Sequence, residues 1–459
     1  MSDYDKIDIV LSAVNTYSSP ARLKITDLRV TSIVGAPKPT TLVKIETNQG
    51  LTGFGEVRDS ASRNYVLMLK HILLGENPCN VDKLFRRIKQ FGGPSRQAGG
   101  VCGAEIALWD IVGKAYGIPV YQMLGGRFRD KILTYCTAHV PAGVENTSAN
   151  IVQTLKEKLE KGFTFLKINL PIDLIQDTPG ALSWPAGMLE EFAYTARNLK
   201  QAKSPEEKRF WQNRNHEIMN KEGNLTGIRI TEKGLDLLEE YVANIRREIG
   251  DEIPFAIDHI GHITYDSVFK LAKRLEKYDL AWLEDPFPWY QTTQYARLSH
   301  AVSVPIATGE DMYLKESFRT LLQANGISVL NPDLLTCGGI MELKKIGDMA
   351  QEYGVPMVIH SAETPVTYLA AVQAAAATEN FMALEYHDDS VLWWDDMIVS
   401  DIPKPLVTDG HITLPDKPGL GVDDFNDEVL REHLDPSYPV LWAPTEEWDH
   451  CFSRDRLWS

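Results

Sequence analysis

The sequence predicts an α/β fold, namely a (β/α)7β barrel of the TIM type with an N-terminal α+β capping domain. Three observations lead to this prediction. From residue 131 onwards, eight short apolar runs alternate with helical patterns, as a parallel sheet requires. A stretch of strand-like and then helical patterns precedes them, and ionisable residues recur where successive runs end. The competing fold is an open, doubly wound sheet, but no GxGxxG motif follows a first strand to favour its nucleotide-binding version.

The length and the charge of the chain limit the classes of function that it can have. A chain of 459 residues is expected to form two or three structural units. Lys and Arg number 47 against 63 Asp and Glu, which gives a net charge of −16 and argues against nucleic acid or an anionic membrane as a partner. No apolar run reaches the roughly 18 residues of a membrane span, and the acidic N-terminus does not resemble a signal peptide. We therefore expect a cytoplasmic protein.

The predicted segments follow from changes of pattern along the chain. Strand-like runs rich in β-branched residues come first, then helical patterns, and then the alternating runs of the barrel. The segments are an N-terminal extension over 1–23, the α+β capping domain over 24–130, the barrel over 131–390 and a C-terminal segment over 391–459 that returns to the capping domain.

A long insertion is predicted inside the barrel, at about 171–228. Lys167 and Asp258 are 91 residues apart, which is far more than one strand–helix repeat. The segment is polar and lacks the pattern of a barrel strand. A long insertion near the active-site end of a barrel forms a lid or contacts a partner subunit, and a plain surface insertion is the alternative.

Ionisable residues stand at or near the ends of the predicted barrel strands. From the second of them onwards the intervals are 26, 26, 23, 27 and 25 residues, about one strand–helix unit each. Because the carboxyl ends of barrel strands meet at one mouth, where barrel enzymes hold their active sites, we expect these side chains to gather there. Helix capping explains one acid at a strand end, but it does not explain six ionisable residues at six successive strand ends. The residues are Lys167, Asp258, Glu284, Glu310, Asp333, His360 and Glu385.

The residue types indicate a metal and a base. Three carboxylates from consecutive strands, Asp258, Glu284 and Glu310, suit Mg²⁺. Calcium or manganese fits these ligands nearly as well, and zinc fits them less well. Asp333 beside His360 suits a general base, because the carboxylate fixes the tautomer of the imidazole and raises its basicity.

Two further residues each have two possible roles. Lys167 is a second base or neutralises a bound carboxylate. Glu385 is a protonated acid that hydrogen-bonds a developing oxyanion, or an ordinary salt-bridge partner. A metal, a base and a cation together suit removal of the proton α to a carboxylate, with the metal stabilising the resulting enediolate.

Several strings, taken in their order and spacing, resemble one family. They are TTLVKIETNQGLTGFGE and ALWDIVGKAYGIPVYQMLGG in the capping region, FAID, WLEDP, ATGE, NPDLLTCGGI and VIHSA in the barrel, and GLGVD after it. They resemble the mandelate racemase subgroup of the enolase superfamily, on the side of the acid-sugar dehydratases of the mannonate, galactarate and gluconate types.

The resemblance implies roles for the residues above. Mg²⁺ is expected on the three carboxylates, and Asp333–His360 is expected to be the catalytic dyad. The capping domain is expected to close over the barrel mouth. The loops around Ala36–Thr40 and Arg58–Arg63 are then expected to set specificity, with Arg58 as a substrate contact.

One position departs from the family pattern. Many relatives carry Lys-x-Lys at the end of the second barrel strand, whereas this chain has Lys167 followed two positions later by Asn169. An amide cannot act as a base, so a two-base racemase is disfavoured and dehydration by a single His base is favoured. Asn169 is then expected to bind substrate. His259 and His262 are predicted to contact substrate hydroxyls or to form an alternative base, or else to hydrogen-bond the carboxylate ligands.

The predicted function is a Mg²⁺-dependent acid-sugar dehydratase, a hydro-lyase. It converts a small aldonic or aldaric acid to a 2-keto-3-deoxy acid, and a homo-oligomer is expected. One alternative is a racemase or epimerase of a 2-hydroxy acid or an amino acid derivative. Another is a family member that binds a ligand and has lost catalysis.

Overall fold

The structure is a computed structural model that describes residues 18–35, 38–141, 143–171, 174–175, 178–184, 188–219, 229–258, 263–387 and 391–450. The strands in chain order are β1 Ile25–Ile33, β2 Thr40–Thr47, β3 Thr52–Val57, β4 Lys131–Ala138, β5 Leu166–Asn169, β6 Leu182–Trp184, β7 Arg229–Ile230, β8 Phe255–Asp258, β9 Leu283–Glu284, β10 Ile306–Thr308, β11 Val329–Leu330, β12 Met357–Ile359, β13 Phe381–Tyr386, β14 Ile398–Val399, β15 Val407–Thr408, β16 His411–Thr413 and β17 Asp424–Phe425.

Helices follow most of these strands. In chain order they are α1 Asn64–Leu67, α2 Lys70–Leu73, α3 Val81–Ile88, α4 Gly99–Tyr116, α5 Val120–Met123, α6 Ser148–Glu160, α7 Met188–Gln201, α8 Pro205–Met219, α9 Glu232–Ile249, α10 Tyr265–Leu275, α11 Thr292–Ser299, α12 Leu314–Gln323, α13 Leu334–Cys337, α14 Ile340–Glu352, α15 Pro365–Ala377 and α16 Asp427–Glu432.

Strands β1, β2 and β3 form an antiparallel sheet in that order, as the N-terminal pattern predicts. Helix α4 packs closely on β3, and two strand glycines allow this approach. A Cβ atom at Gly53 would lie 2.0 Å from the Ala107 carbonyl oxygen, and one at Gly55 would lie 2.1 Å from that of Gly103. Any larger residue at these two positions would therefore push the helix away from the sheet.

Eight parallel strands form the barrel. Their order is β4, β5, β8, β9, β10, β11, β12 and β13, and β13 also pairs with β4, which closes the barrel. Each strand falls within one of the eight apolar runs, so the predicted fold class is confirmed. Strands such as β8 and β10 are buried along their whole length, as is typical of parallel strands that are covered on both faces.

The predicted insertion contains its own secondary structure. Between β5 and β8 the described residues form the helices α7 and α8 and a small antiparallel ribbon, in which β6 pairs with β7. Helix α9 comes next and leads back to β8. Thr231 begins α9 by accepting a hydrogen bond from Gly234 N at its side-chain oxygen, which is a standard N-cap.

Contact density divides the chain into two compact units. The first unit comprises the described parts of Met1–Thr134, Gly309–Arg319 and Leu330–Ser459, and the second comprises those of Tyr135–Thr308 and Thr320–Val329. Each unit is considered by itself below. None of the helices in the described ranges is both long and apolar enough to cross a membrane.

Candidate active site

Three of the predicted site residues are neighbours at the strand ends of the second unit. Asp258 is the last residue of β8, and Glu284 is the last residue of β9. Lys167 lies on β5, which pairs in parallel with β8 in a register that places Asn169 opposite Asp258. Asn169 is half-buried. The prediction that strand ends collect these side chains is therefore met within this unit.

The Lys167 ammonium lies between the two carboxylates. Its Nζ is 2.8 Å from Asp258 Oδ2 and 3.0 and 3.1 Å from the two Glu284 oxygens. The Lys167 and Glu284 side chains are fully buried, and Trp282 Nε1 donates a further hydrogen bond of 2.7 Å to Glu284. Buried carboxylates need a cation to compensate their loss of hydration. Lys167 supplies that charge to two of the predicted metal ligands.

The Asp333–His360 pair lies in the first unit. Asp333 follows β11, His360 follows β12, and the two backbones form an isolated parallel bridge. Asp333 Oδ2 is 2.6 Å from His360 Nδ1, while Asp333 Oδ1 accepts a bond of 2.6 Å from Leu335 N and so caps α13. The cap fixes the carboxylate, and the carboxylate orients the imidazole. This geometry suits a base held in one tautomer, because Nδ1 is bonded to Asp333 and Nε2 is not.

The other imidazole nitrogen faces two further carboxylates of the same unit. His360 Nε2 is 3.0 Å from Glu310 Oε2 and 3.8 Å from Glu385 Oε2. Burial lowers the pKa of His360, but Glu310, Glu385 and Asp333 together outweigh it and raise the pKa well above its usual value. These three carboxylates therefore favour the charged form of the imidazole.

Glu385 has a second histidine partner that sequence reasoning missed. His387 Nε2 is 3.0 Å from Glu385 Oε1, and the ring centroids of His360 and His387 are 6.2 Å apart. The signal is present in the sequence. His387 comes two positions after Glu385 at the end of β13, and alternate residues of a strand share one face.

Arg58, the predicted substrate contact, is buried in the first unit and 1 % exposed. Its guanidinium donates to the Glu310 carbonyl oxygen at 2.8 Å and also bonds Thr336 Oγ1. Burial lowers its pKa, but Asp333, Glu310 and nearby acids outweigh burial and raise it. These contacts orient the loop that carries Glu310. Whether Arg58 also contacts substrate stays a prediction.

Glu363 is another buried group near the dyad that the sequence pattern did not single out. Its Oε2 accepts bonds from Ala362 N at 2.6 Å and from Ser361 Oγ at 3.1 Å. Burial, with a contribution from Asp333, raises its pKa to about 8. His360 and Arg58 oppose this rise without cancelling it, so burial favours the neutral form of this carboxyl group.

The remaining predicted site residues are His259 and His262, which lie outside the described residues. Their expected roles stay predictions. The same is true of residues 36 and 37 in the first of the expected specificity loops.

Comparison with known proteins identifies the family. Residues 6–125 match the model of the mandelate racemase/muconate lactonizing enzyme N-terminal domain, and residues 216–428 match that of the enolase C-terminal domain-like family. The D-xylonate dehydratase of Haloferax volcanii is 31 % identical over 405 residues, covering 87 % of this chain and 86 % of that protein. The chain belongs to the mandelate racemase/muconate lactonizing enzyme family of the enolase superfamily. The resemblance read from the sequence motifs is thereby confirmed.

Other relatives agree with this assignment. The D-galactonate dehydratase of Ralstonia pickettii is 29 % identical over 423 residues, covering 89 % of this chain and 94 % of that protein. Among solved structures, a mandelate racemase/muconate lactonizing enzyme-like protein from Rubrobacter xylanophilus superposes with a TM-score of 0.74 at 27 % identity, over 91 % of this chain and 98 % of that one. The chain is an enzyme of this family. The relatives from Haloferax volcanii and Ralstonia pickettii are named as dehydratases, which are hydro-lyases.

Proposed function

We propose that this enzyme dehydrates an aldonic acid in a Mg²⁺-dependent reaction. The base removes the proton from C2, the hydroxyl group leaves from C3 as water, and the enol becomes a 2-keto-3-deoxy acid. The named relatives act on D-xylonate and D-galactonate. These are aldonates, so they favour an aldonic over an aldaric substrate.

The observation that carries the proposal is the buried Asp333–His360 pair. With Nδ1 bonded to Asp333, Nε2 is the nitrogen that exchanges a proton with substrate. The neutral imidazole takes the C2 proton, and the resulting imidazolium then protonates the departing C3 hydroxyl group. One histidine thus serves both steps, and the nearby carboxylates favour its charged form between them.

The proposed magnesium ligands are Asp258, Glu284 and Glu310. Two of them already bracket one cation, the Lys167 ammonium, with contacts of 2.8–3.1 Å, and carboxylate oxygens are the donors that Mg²⁺ prefers. Glu310 comes two residues after the end of β10. When bound, Mg²⁺ supplies positive charge for the negative charge that develops on the substrate carboxylate. Lys167 balances the charge of the ligand set from the protein side.

The racemase alternative is disfavoured by the residue two positions after Lys167 on β5. Asn169 carries an amide where a base would be needed. Lys167 has two protein carboxylates as partners at hydrogen-bonding distance. We therefore assign Lys167 and Asn169 to charge balance and substrate binding, and we assign Glu385 to the support of the developing oxyanion.

The test is a screen of aldonic and aldaric acids with Mg²⁺, scored by formation of 2-keto-3-deoxy acid. We expect turnover of at least one aldonate by the wild-type enzyme and none with EDTA. His360→Asn is the matched inactive variant. If wild type and His360→Asn are equally inactive on the whole panel, the proposal of a dehydratase is wrong.

Incubation in D₂O separates the two reaction types. A dehydratase releases keto acid with deuterium at C3, and any recovered substrate keeps its configuration at C2. A racemase returns substrate that is deuterated and inverted at C2 with no keto acid. That second result would replace the proposed function by its alternative.

A further inference from the structure

Two histidines and one glutamate of the first unit bring possible metal-ligand atoms close together. His360 Nε2 and His387 Nε2 both face the Glu385 carboxylate, at 3.8 and 3.0 Å. One ligand atom from each residue lies within 4.8 Å of the others. Glu385 is fully buried, and the His360 and His387 side chains are 9 % and 20 % exposed.

The spacing suits a small tetrahedral ion. Zinc bonds to imidazole nitrogen and carboxylate oxygen at about 2.0–2.2 Å, so two ligand atoms in a tetrahedron lie roughly 3.3 Å apart. Here His387 Nε2 is 3.0 Å from Glu385 Oε1 and His360 Nε2 is 3.8 Å from Glu385 Oε2, so small side-chain rotations would bring one oxygen and both nitrogens to that separation. Two imidazoles and one carboxylate also form a known three-ligand zinc set that leaves a fourth position for water.

The surroundings of His360 strengthen its role as a ligand. Metal-bound histidines usually donate their other ring N–H to a carboxylate, which fixes the tautomer and the ring orientation. Asp333 Oδ2 holds His360 Nδ1 in this way at 2.6 Å. The other nitrogen, His360 Nε2, is 3.0 Å from Glu310 Oε2 and 3.8 Å from Glu385 Oε2, and it is the one that a metal would bind.

We propose that His360, Glu385 and His387 form a binding site for a borderline transition-metal dication, with Zn²⁺ as the representative ion. The set contains none of the three proposed magnesium ligands. Nitrogen donors select Zn²⁺ over Mg²⁺, whereas an all-carboxylate set does not. Because a metal binds the deprotonated ring nitrogen, any proton on either Nε2 atom goes to solvent when the ion binds.

A bound Zn²⁺ ion would also prevent His360 from acting as the base. A metal on His360 Nε2 occupies the lone pair that takes the C2 proton, so Zn²⁺ inhibits dehydration even when Mg²⁺ is in excess. This consequence rests on the proposed function. Metal binding itself does not.

Equilibrium dialysis against Zn²⁺ in excess Mg²⁺ tests the site without any substrate. We expect one Zn²⁺ per wild-type chain and visible ligand-field bands of tetrahedral form when Co²⁺ replaces it. His387→Gln should weaken Zn²⁺ binding by about 100-fold, because losing a direct ligand costs at least as much as the 10–100-fold loss from outer partners. His300→Gln, at an exposed histidine, is the matched control and should bind as wild type does.

Asp258→Asn distinguishes the two metal sites. It removes a proposed magnesium ligand and should leave Zn²⁺ affinity within threefold of wild type. If Asp258→Asn abolishes Zn²⁺ retention and His387→Gln does not, the ion occupies the carboxylate set and the inference is wrong. If His387→Gln does not fold, as judged by circular dichroism, the wild-type Co²⁺ spectrum decides, and bound Co²⁺ without tetrahedral bands overturns the site.

Activity then separates this inference from the proposed function. Zn²⁺ retention without keto-acid formation from any acid sugar contradicts the dehydratase but not the site. If the enzyme retains no Zn²⁺ and excess Zn²⁺ leaves keto-acid formation unchanged, the zinc site is contradicted but the dehydratase is not.

Discussion

Replacing Asp333 with asparagine tests the role of the dyad with the smallest change of shape. The hydrogen bond from His360 Nδ1 to Asp333 Oδ2 is 2.6 Å long and lies at a side chain that is 1 % exposed. An asparagine NH₂ group would donate to Nδ1, so the proton of the neutral imidazole would move to Nε2. Nε2 could then no longer accept the C2 proton of the substrate. The equivalent change in Ser-His-Asp hydrolases lowers kcat by about 10⁴.

We expect Asp333→Asn to lower kcat for keto-acid formation by about 10³–10⁴. At 1.36 kcal/mol per tenfold, that corresponds to about 4–5.5 kcal/mol of activation free energy. KM should change much less, because Asp333 acts through His360. The fold should survive, because Asp333 Oδ1 caps α13 through Leu335 N and asparagine caps a helix as well as aspartate does.

The assay is steady-state kinetics on the aldonate found by the screen, with urea unfolding to verify stability. Asp130→Asn is the control, because Asp130 is 77 % exposed and its ion pair with Arg127 lies at the surface. A folded Asp333→Asn variant with kcat within tenfold of wild type would refute the reasoning. The tautomer can also be read directly from the ¹⁵N shifts of His360, without substrate.

Three further changes have expected outcomes. His360→Asn should lower kcat by about 10²–10⁴ and should abolish deuterium incorporation from D₂O, and incorporation at the wild-type rate would contradict its role as base. Lys167→Met leaves Asp258 and Glu284 buried without their cation, so the free energy of unfolding in EDTA should fall by about 3–5 kcal/mol and should partly recover with Mg²⁺. Unchanged stability in urea titrations would count against that charge balance. Burial raises the pKa of Glu105 to about 8, so the unfolded chain releases this proton at lower pH than the folded chain, and stability should fall as the pH rises from about 5 to 8. Urea unfolding over that range should show a smaller slope for Glu105→Gln, and equal slopes would exclude this linkage.

The barrel was predictable because its signal is local. A parallel strand that is buried on both faces reads as a short apolar run, and each of the eight runs contains one strand of the barrel. The strand-end positions of Asp258 and Glu284 followed from the same pattern, since an acidic residue directly after apolar ones marks the end of a run. The Asp333–His360 contact followed from the resemblance and from adjacent strand ends. The predicted domain boundaries, His259 and His262, and the homo-oligomeric state stay predictions.

The local sequence pattern does not predict which charged side chains contact each other in the folded protein. By its position, Lys167 is either a second base or a cation that neutralises a carboxylate. Only the folded structure shows that its ammonium lies between the Asp258 and Glu284 carboxylates. The sequence places Arg58 in an expected specificity loop but gives no sign that its guanidinium is buried and bonds the backbone of Glu310, which is 252 positions away. His387 was missed although its strand was predicted.

The sequence by itself determined the order of strands and helices, the family and the residues that we propose for the chemistry. These depend on the spacing of apolar and ionisable residues along the chain, which needs no knowledge of distant neighbours. Only the tertiary structure decided which charge faces which. The cation of Lys167 and the proton of His360 are each held by carboxylates from other strands, and the energy of a buried charge depends on neighbours within a few ångströms. Those neighbours are brought together only when the strands pair.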